Sequence, residues 1–337
     1  MRFFLKFSLL LAIIIVATSS LLSASYKTAF PRDPGPVLDK QVRNNYLQYI
    51  EENHPQLVMI GDSTLGASIE AETLAQLTGK SVYSIGIPGS ASALWYLVFK
   101  SNVAEASPPP EYVLIVFRDT ILTAPGYRVH GSYFDLLDEY AEWNESLVIQ
   151  RSFINFMNPL EIQAEKYLPL YVFRADIRKE IDARIRYFTP PMFGCNEDCT
   201  DLALGEIFAG ADLEPKALVD AIGAAESYLY TPDQLDFETQ IDRSYLPEII
   251  RKAKEKNIKL IFVRVKVLSH PDTPQLDAYL AALTEYLRQN DVILLDYGND
   301  PRLTPDLYYD SIHISDTGRP VFTPMLADDL NKIFSGK

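Results

Sequence analysis

The stretch LVMIGDSTLGAS, residues 57–68, runs from four apolar residues into Gly61, Asp62 and Ser63 and then turns small and polar. Its first half has the length and composition of a buried strand, and its second half opens a segment with helical spacing. Two more short apolar runs follow, VYSIGI at 82–87 and YVLIVF at 112–117. The segment between the first two, ASIEAETLAQLTG, carries helical spacing and stops at Gly79. Short buried strands alternating with helices predict a parallel sheet covered on both faces.

The alternation stops after Phe117 and resumes at KLIFVRVKV (259–267) and VILLDYG (292–298). More than a hundred residues lie between, rich in aromatics, proline and charge, with helical patches at 170–185 and 242–256. That is too long for a plain connection. The predicted fold is therefore an α/β, Rossmann-like (flavodoxin-like) three-layer sandwich, with a mainly parallel five-stranded sheet and a large helical insertion after the third strand. An insertion there sits over the carboxyl ends of the strands, where open α/β sheets bind ligands.

The chain has 337 residues, 47% of them hydrophobic and 23% charged, a composition that fills a globular core. Its formal net charge of -14 leaves no basic stripe to displace counterions from phosphates, so a nucleic-acid partner is not expected. At the N-terminus, Arg2 and Lys6 precede an apolar run from Phe7 to Val16 that continues weakly to Leu22. This is the charge order of a secretory signal. The segment is either cleaved near Leu22-Ser23-Ala24 or kept as a membrane anchor, and in both cases the rest of the chain is expected outside the cytoplasmic membrane.

The boundaries follow: residues 1–26 are signal peptide or anchor, 27–50 linker and first helix, 51–124 with 246–337 the catalytic domain, and 125–245 the insertion or cap. PRDPGP at 31–36 reads as a stiff spacer. The two cysteines, Cys195 and Cys199 in CNEDC, are close enough to pair in an oxidising compartment. They lack the nearby histidines a zinc site would need, and neither metal nor cofactor is expected. Asn144-Glu145-Ser146 matches a glycosylation sequon.

Gly, Asp and Ser are ordinary turn residues, and a strand has to end. Ser63 is equally placed to be a nucleophile, which would require a base in hydrogen-bond reach and an acid to orient that base. Of the four histidines, His54 precedes the first strand and His130 and His270 lie in turn-rich segments. His313, in YYDSIHISDTGRP, follows Asp310 by three residues, a spacing that lets the carboxylate fix the imidazole tautomer. A doubly wound sheet brings the loop after its first strand and the loop after its last strand to the same edge.

Gly61-Asp62-Ser63-Thr64 after a strand, and Asp310-Ser311-Ile312-His313 with Gly318 before the last helix, resemble the first and last blocks of the SGNH (GDSL-type) hydrolases. The resemblance implies Ser63 as nucleophile, with His313 and Asp310 completing a triad. SIGIPGSAS after the second strand places Gly89 where that family uses a backbone N–H for the oxyanion, beside the N–H of Ser63 itself. The third block departs from the pattern. Where the family has Gly-x-Asn-Asp, this chain has Phe117-Arg118-Asp119-Thr120, and an ionised Asp119 cannot donate to an oxyanion. Arg118 could donate in its place, Asp119 could be protonated, or Asp119 could turn away to orient Arg118 or the substrate; Arg118 is the preferred anion-stabilising group.

The expected activity is serine-dependent acyl transfer or ester hydrolysis. Its expected substrate is an acylated carbohydrate or another ester, with O-acetylation or deacetylation of a cell-surface or exported polysaccharide as the context. An acetyl donor outside the cytoplasm would have to be delivered, for which the family resemblance suggests a membrane acyltransferase partner. The alternatives are a catalytically inactive SGNH-like binding or assembly module, and a lipid-directed esterase, for which no basic amphipathic helix is evident in the sequence.

Overall fold

The computed structural model describes residues 2–38, 42, 45–126, 128, 134–143, 145–193, 223–224, 226–268 and 273–336. Cys195, Cys199, His130, His270 and Asn144 lie outside them, and with them the disulfide and the sequon. The chain divides into two compact units: residues 37–152 with 221–337 form one, and residues 1–36 with 153–220 the other.

The larger unit is built on a sheet of five parallel strands, β1 (Leu57–Gly61), β2 (Val82–Gly86), β3 (Tyr112–Phe117), β4 (Lys259–Arg264) and β5 (Ile293–Asp296), in the order β2-β1-β3-β4-β5. Pairing is in register from edge to edge, with Ile60 beside Ile85 and Ile115, Phe262 beside Ile115, and Leu294 beside Phe262. Every residue of β1 and β3 is buried, whereas β2 and β5 at the edges are half-buried. Continuous apolar runs in the middle of the sheet reflect cover on both faces.

On one face, alternate residues Leu57, Met59, Leu114, Val116, Ile261 and Val263 pack with Phe322, Leu326 and Leu330 of the C-terminal helix Arg319–Phe334. The intervening residues Val58, Ile60, Val113, Ile115 and Phe262 point to the opposite face and are equally buried, under helices Ser92–Val98 and Leu246–Lys256. Residues 118–258 lie between β3 and β4, and the described ones are mostly helical, including Pro159–Tyr167, Arg174–Phe193 and Leu246–Lys256.

The order of the strands reverses between β1 and β3, which opens a crevice at their carboxyl ends. Four loops converge on that edge, carrying Asp62 and Ser63, Gly89, Arg118 and Asp119, and His313. Helix Ser63–Ser68 leaves β1 so sharply that a Cβ on Gly61 would lie 2.8 Å from Leu65 Cβ and 3.3 Å from the Val116 carbonyl oxygen. Glycine at 61 is what lets the serine turn sit directly against the sheet.

The smaller unit combines helix Arg2–Ser25, residues 26–36, and insertion helices Pro159–Tyr167, Pro169–Val172 and Arg174–Phe193. Asn158 and Glu161 form a capping box that starts the first of these insertion helices. The PRDPGP stretch, read in the sequence as a stiff spacer, packs within this unit: the Arg32 amide donates to the Lys166 carbonyl at 3.1 Å, and the adjacent Phe30 packs edge-on against Phe173. Aromatic residues flanking the prolines give the segment something to pack with, which composition alone does not reveal.

Candidate functional site

Asp62 caps helix Ser63–Ser68: its Oδ1 accepts from the Thr64 amide at 2.8 Å and from the Thr64 hydroxyl at 2.6 Å. The cap fixes the first turn and with it Ser63. The Ser63 hydroxyl lies 2.7 Å from Nε2 of His313, across 250 residues of sequence. Nδ1 of that imidazole lies 2.7 Å from Oδ2 of Asp310.

The other carboxylate oxygen of Asp310 accepts from the amides of Ile312 (2.8 Å) and His313 (2.7 Å), so the Asp-x-x-His turn is closed by the aspartate itself. Burial works to raise the Asp310 pKa, but the His313 hydrogen bond and the two amides outweigh it and hold the carboxyl below the usual range. Tyr309 stacks on the imidazole, rings parallel within 4° and centroids 5.2 Å apart. The loop is pinned at its base, where the Ser315 amide donates to the Leu307 carbonyl at 2.8 Å. Gly318 fits there because a Cβ would come within 2.3 Å of that carbonyl oxygen.

Gly89 has φ +69°, in the left-handed region that glycine occupies without strain. Its turn is tied to the end of β1, where the Ile87 amide donates to the Gly61 carbonyl at 2.9 Å, and to helix Ser92–Val98, where Trp95 Nε1 donates to the Ser90 hydroxyl at 2.8 Å. Neither the Ser63 amide nor the Gly89 amide donates to an acceptor among the described residues.

The third block is a chain of charges. Arg118, 3% exposed, lies between Asp62, whose Oδ2 is 3.4 Å from Nε, and Glu226, an insertion residue that accepts from its Nη1. Burial works to lower the Arg118 pKa, and the two carboxylates raise it on balance. Asp119 adopts φ +40°, a left-handed conformation that aspartate tolerates. Both of its oxygens are taken: Oδ1 by Arg264 Nε at 2.8 Å and Nη2 at 2.6 Å, and Oδ2 by the Tyr230 hydroxyl at 2.5 Å. Burial, then the Asp119 charge, drives the Tyr230 pKa up. Arg264 also meets Asp296, 3.1 Å away, and its guanidinium lies where a side chain on Gly298 would be.

Of the three arrangements open for the third block, the geometry therefore matches Asp119 turned away, but onto Arg264 and Tyr230 rather than onto Arg118. Arg264, Glu226 and Tyr230 escaped the sequence reading. The first left a trace, an arginine inside the apolar run KLIFVRVKV; the other two are unremarkable residues of the insertion. Among the described residues no three His, Cys, Asp or Glu side chains are grouped to hold a metal ion.

No family model and no curated protein matches the sequence. Solved structures do. A protein of Bacteroides fragilis assigned as an acylhydrolase aligns over 88% of this chain and 99% of its own, with 15% identity and a TM-score of 0.41. A GDSL-like lipase of Bacteroides thetaiotaomicron aligns over 86% and 98%, at 14% identity and a TM-score of 0.39. A variant of an acetyl-xylooligosaccharide esterase from Geobacillus aligns over 82% and 93%, at 12% identity and a TM-score of 0.36.

Proposed function

We propose that the chain is a serine-dependent, SGNH-type acyl-ester hydrolase or O-acyltransferase, with Ser63 as nucleophile, His313 as general base and Asp310 as its orienting acid. The observation that carries this reading is the pair of 2.7 Å contacts from Ser63 to Nε2 and from Nδ1 to Asp310. A serine becomes nucleophilic only when a neighbouring base takes its proton, and the base needs the correct tautomer.

In the proposed reaction, Ser63 Oγ attacks the ester carbonyl as its proton passes to Nε2, and the resulting imidazolium is stabilised by Asp310. The oxyanion is received by the free amides of Ser63 and Gly89. Collapse of the intermediate expels the alcohol, which takes the proton from Nε2 and leaves an acyl-enzyme. Water as the second acceptor gives hydrolysis; a sugar hydroxyl gives transfer. The finer reading is acetyl chemistry on a cell-surface or exported polysaccharide, with the enzyme held outside the cytoplasmic membrane; the charge order of the N-terminus and its exposed apolar helix support that location.

One observation favours a second reading, a binding or assembly module without catalysis: both charged side chains of the third block are engaged in ion pairs within the protein, Arg118 with Asp62 and Glu226 and Asp119 with Arg264. Turnover of p-nitrophenyl acetate by the full chain in detergent, beside Ser63→Ala, separates the two. The enzyme reading expects a loss of roughly 10³-fold or more in the variant and phosphonate labelling of the wild type only. No turnover and no labelling of the wild type would leave the binding module.

A further inference from the structure

The smaller unit ties the N-terminal helix to part of the insertion. Residues Phe3–Ser25 form a helix of 23 residues with no part of its apolar window buried inside the chain. At ~1.5 Å per residue this gives about 35 Å, enough to cross a hydrocarbon core of ~30 Å. Arg2 and Lys6 at its start set the orientation, with the following residues on the far side of the membrane.

Directly after this helix, Tyr26 stacks on Phe173 with centroids 4.1 Å apart and an interplanar angle of 9°. The Tyr26 hydroxyl donates to Glu180 at 3.2 Å, Phe30 meets Phe173 edge-on at 6.3 Å, and the Arg32 amide reaches the Lys166 carbonyl. These contacts hold helices Pro159–Tyr167 and Pro169–Val172 at the mouth of the apolar helix. If the helix crosses the bilayer, they are at its surface.

The same short segment exposes Phe156, Leu160, Tyr167, Leu168 and Leu170, with Leu160 at 82%. Leu160 and Tyr167 are seven residues apart and share a face of their helix, while Glu165, Pro169 and Phe173 are buried on the protein side. Large apolar side chains presented beside a membrane exit fit the boundary between headgroups and acyl chains. Tyrosine favours that depth, and Lys166 and Arg174 lie over the rings of Tyr167 and Tyr171, Arg174 also pairing with Glu165 at 3.4 Å.

Charge agrees. Against a chain total of -14, residues 26–36 and 153–184 carry seven basic and six acidic residues, so this segment lacks the acidic excess that anionic lipids would repel. We infer that residues 153–172 form a monotopic foot that rests in the interface of the lipid bilayer, with the uncleaved N-terminal helix as its anchor. This inference stands apart from the esterase reading, because it uses none of the residues of that site.

The test is made on the full chain in phosphatidylcholine–phosphatidylglycerol proteoliposomes. Leu160→Cys and, separately, Leu168→Cys are placed in a Cys195→Ser, Cys199→Ser background and labelled with an environment-sensitive NBD dye. Both positions are exposed, so labelling leaves the packed face intact. The expected result is a blue-shifted emission that shallow doxyl-labelled lipids quench, together with an intact N-terminal mass. Water-like emission unaffected by doxyl lipid at both positions would overturn the foot, and loss of residues up to the Leu22–Ala24 region from the membrane-bound protein would overturn the anchor on which it depends.

Discussion

The substitution Asp119→Asn restores the residue type that SGNH hydrolases carry in the third block, and the structure predicts that activity is not improved by it. If the new amide reached the oxyanion, one added donor would give about 3 kcal/mol of transition-state stabilisation, or roughly 10²-fold in kcat. Both side-chain oxygens at position 119, however, face Arg264 and Tyr230, at 2.6–2.8 Å and 2.5 Å. An asparagine keeps that orientation, with its oxygen accepting from Arg264 and its NH2 toward the tyrosine hydroxyl. What is lost is charge: Arg264, 4% exposed, keeps only Asp296 as a carboxylate partner. Replacing a charged hydrogen-bond acceptor by a neutral one costs about 1–2 kcal/mol. Arg264→Met is worse, because it strands the buried Asp119 charge with a single hydroxyl, a loss of ~3–5 kcal/mol. Urea unfolding followed by tryptophan emission, with buried Trp95 as reporter, measures both, and ester turnover measures the first. A rise of about tenfold or more in kcat/KM for Asp119→Asn, or a larger destabilisation by Asp119→Asn than by Arg264→Met, would refute the reasoning.

Gly318→Ala sets a Cβ 2.3 Å from the Leu307 carbonyl oxygen and 2.7 Å from Ile314 Cγ2; it is expected to cost about 1–3 kcal/mol and to lower turnover by shifting the His313 loop. Gly66→Ala meets nothing within 4 Å and serves as the control, neutral or slightly stabilising in the urea midpoint. Asp310→Asn removes the acceptor that sets the His313 tautomer, and a fall of roughly 10³- to 10⁴-fold in kcat is expected. Its carboxyl titrates lower folded than unfolded, so its contacts stabilise the fold at neutral pH and fade as the pH drops through that lowered value. The gap in urea midpoint between wild type and Asp310→Asn should therefore close in acid. Tyr309→Ala loses the parallel stack on the imidazole, worth ~1 kcal/mol; with Tyr309 66% exposed, a fall of up to about tenfold in kcat with an unchanged midpoint is expected.

The strands were legible because a residue buried on both faces has to be apolar whichever way it points, and LVMIG, YVLIVF and KLIFVRVKV announce themselves that way. The loops at their carboxyl ends were legible for a different reason: Gly61, Gly89 and Gly318 mark places where the backbone needs either a left-handed turn or the room a side chain would fill. What stayed hidden were the partners. Glu226 and Tyr230 reach Arg118 and Asp119 across more than a hundred residues, and nothing local to either residue encodes a contact of that range. The foot was hidden likewise, since Leu160 and Leu168 look like core residues until the fold turns them outward.

The charge chain explains why the third block can depart from the family pattern without wrecking the site. Asp62 precedes the proposed nucleophile and Asp119 stands where an oxyanion donor is expected; left alone, both would oppose negative charge developing at an ester carbonyl. Each is held by a buried guanidinium instead, Asp62 by Arg118 and Asp119 by Arg264. A buried arginine is costly unless carboxylates offset its charge, and Glu226 and Asp296 add a second one to Arg118 and Arg264 in turn. In this arrangement Arg118 pairs with Asp62, and Glu226 and Tyr230 brace the loop after β3 from the insertion. On the proposed mechanism, oxyanion binding then rests on the Ser63 and Gly89 amides. Two backbone donors cannot be removed by a side-chain change, so the way to weaken them is to move the turn that carries one of them, through the Trp95–Ser90 hydrogen bond that ties it to helix Ser92–Val98.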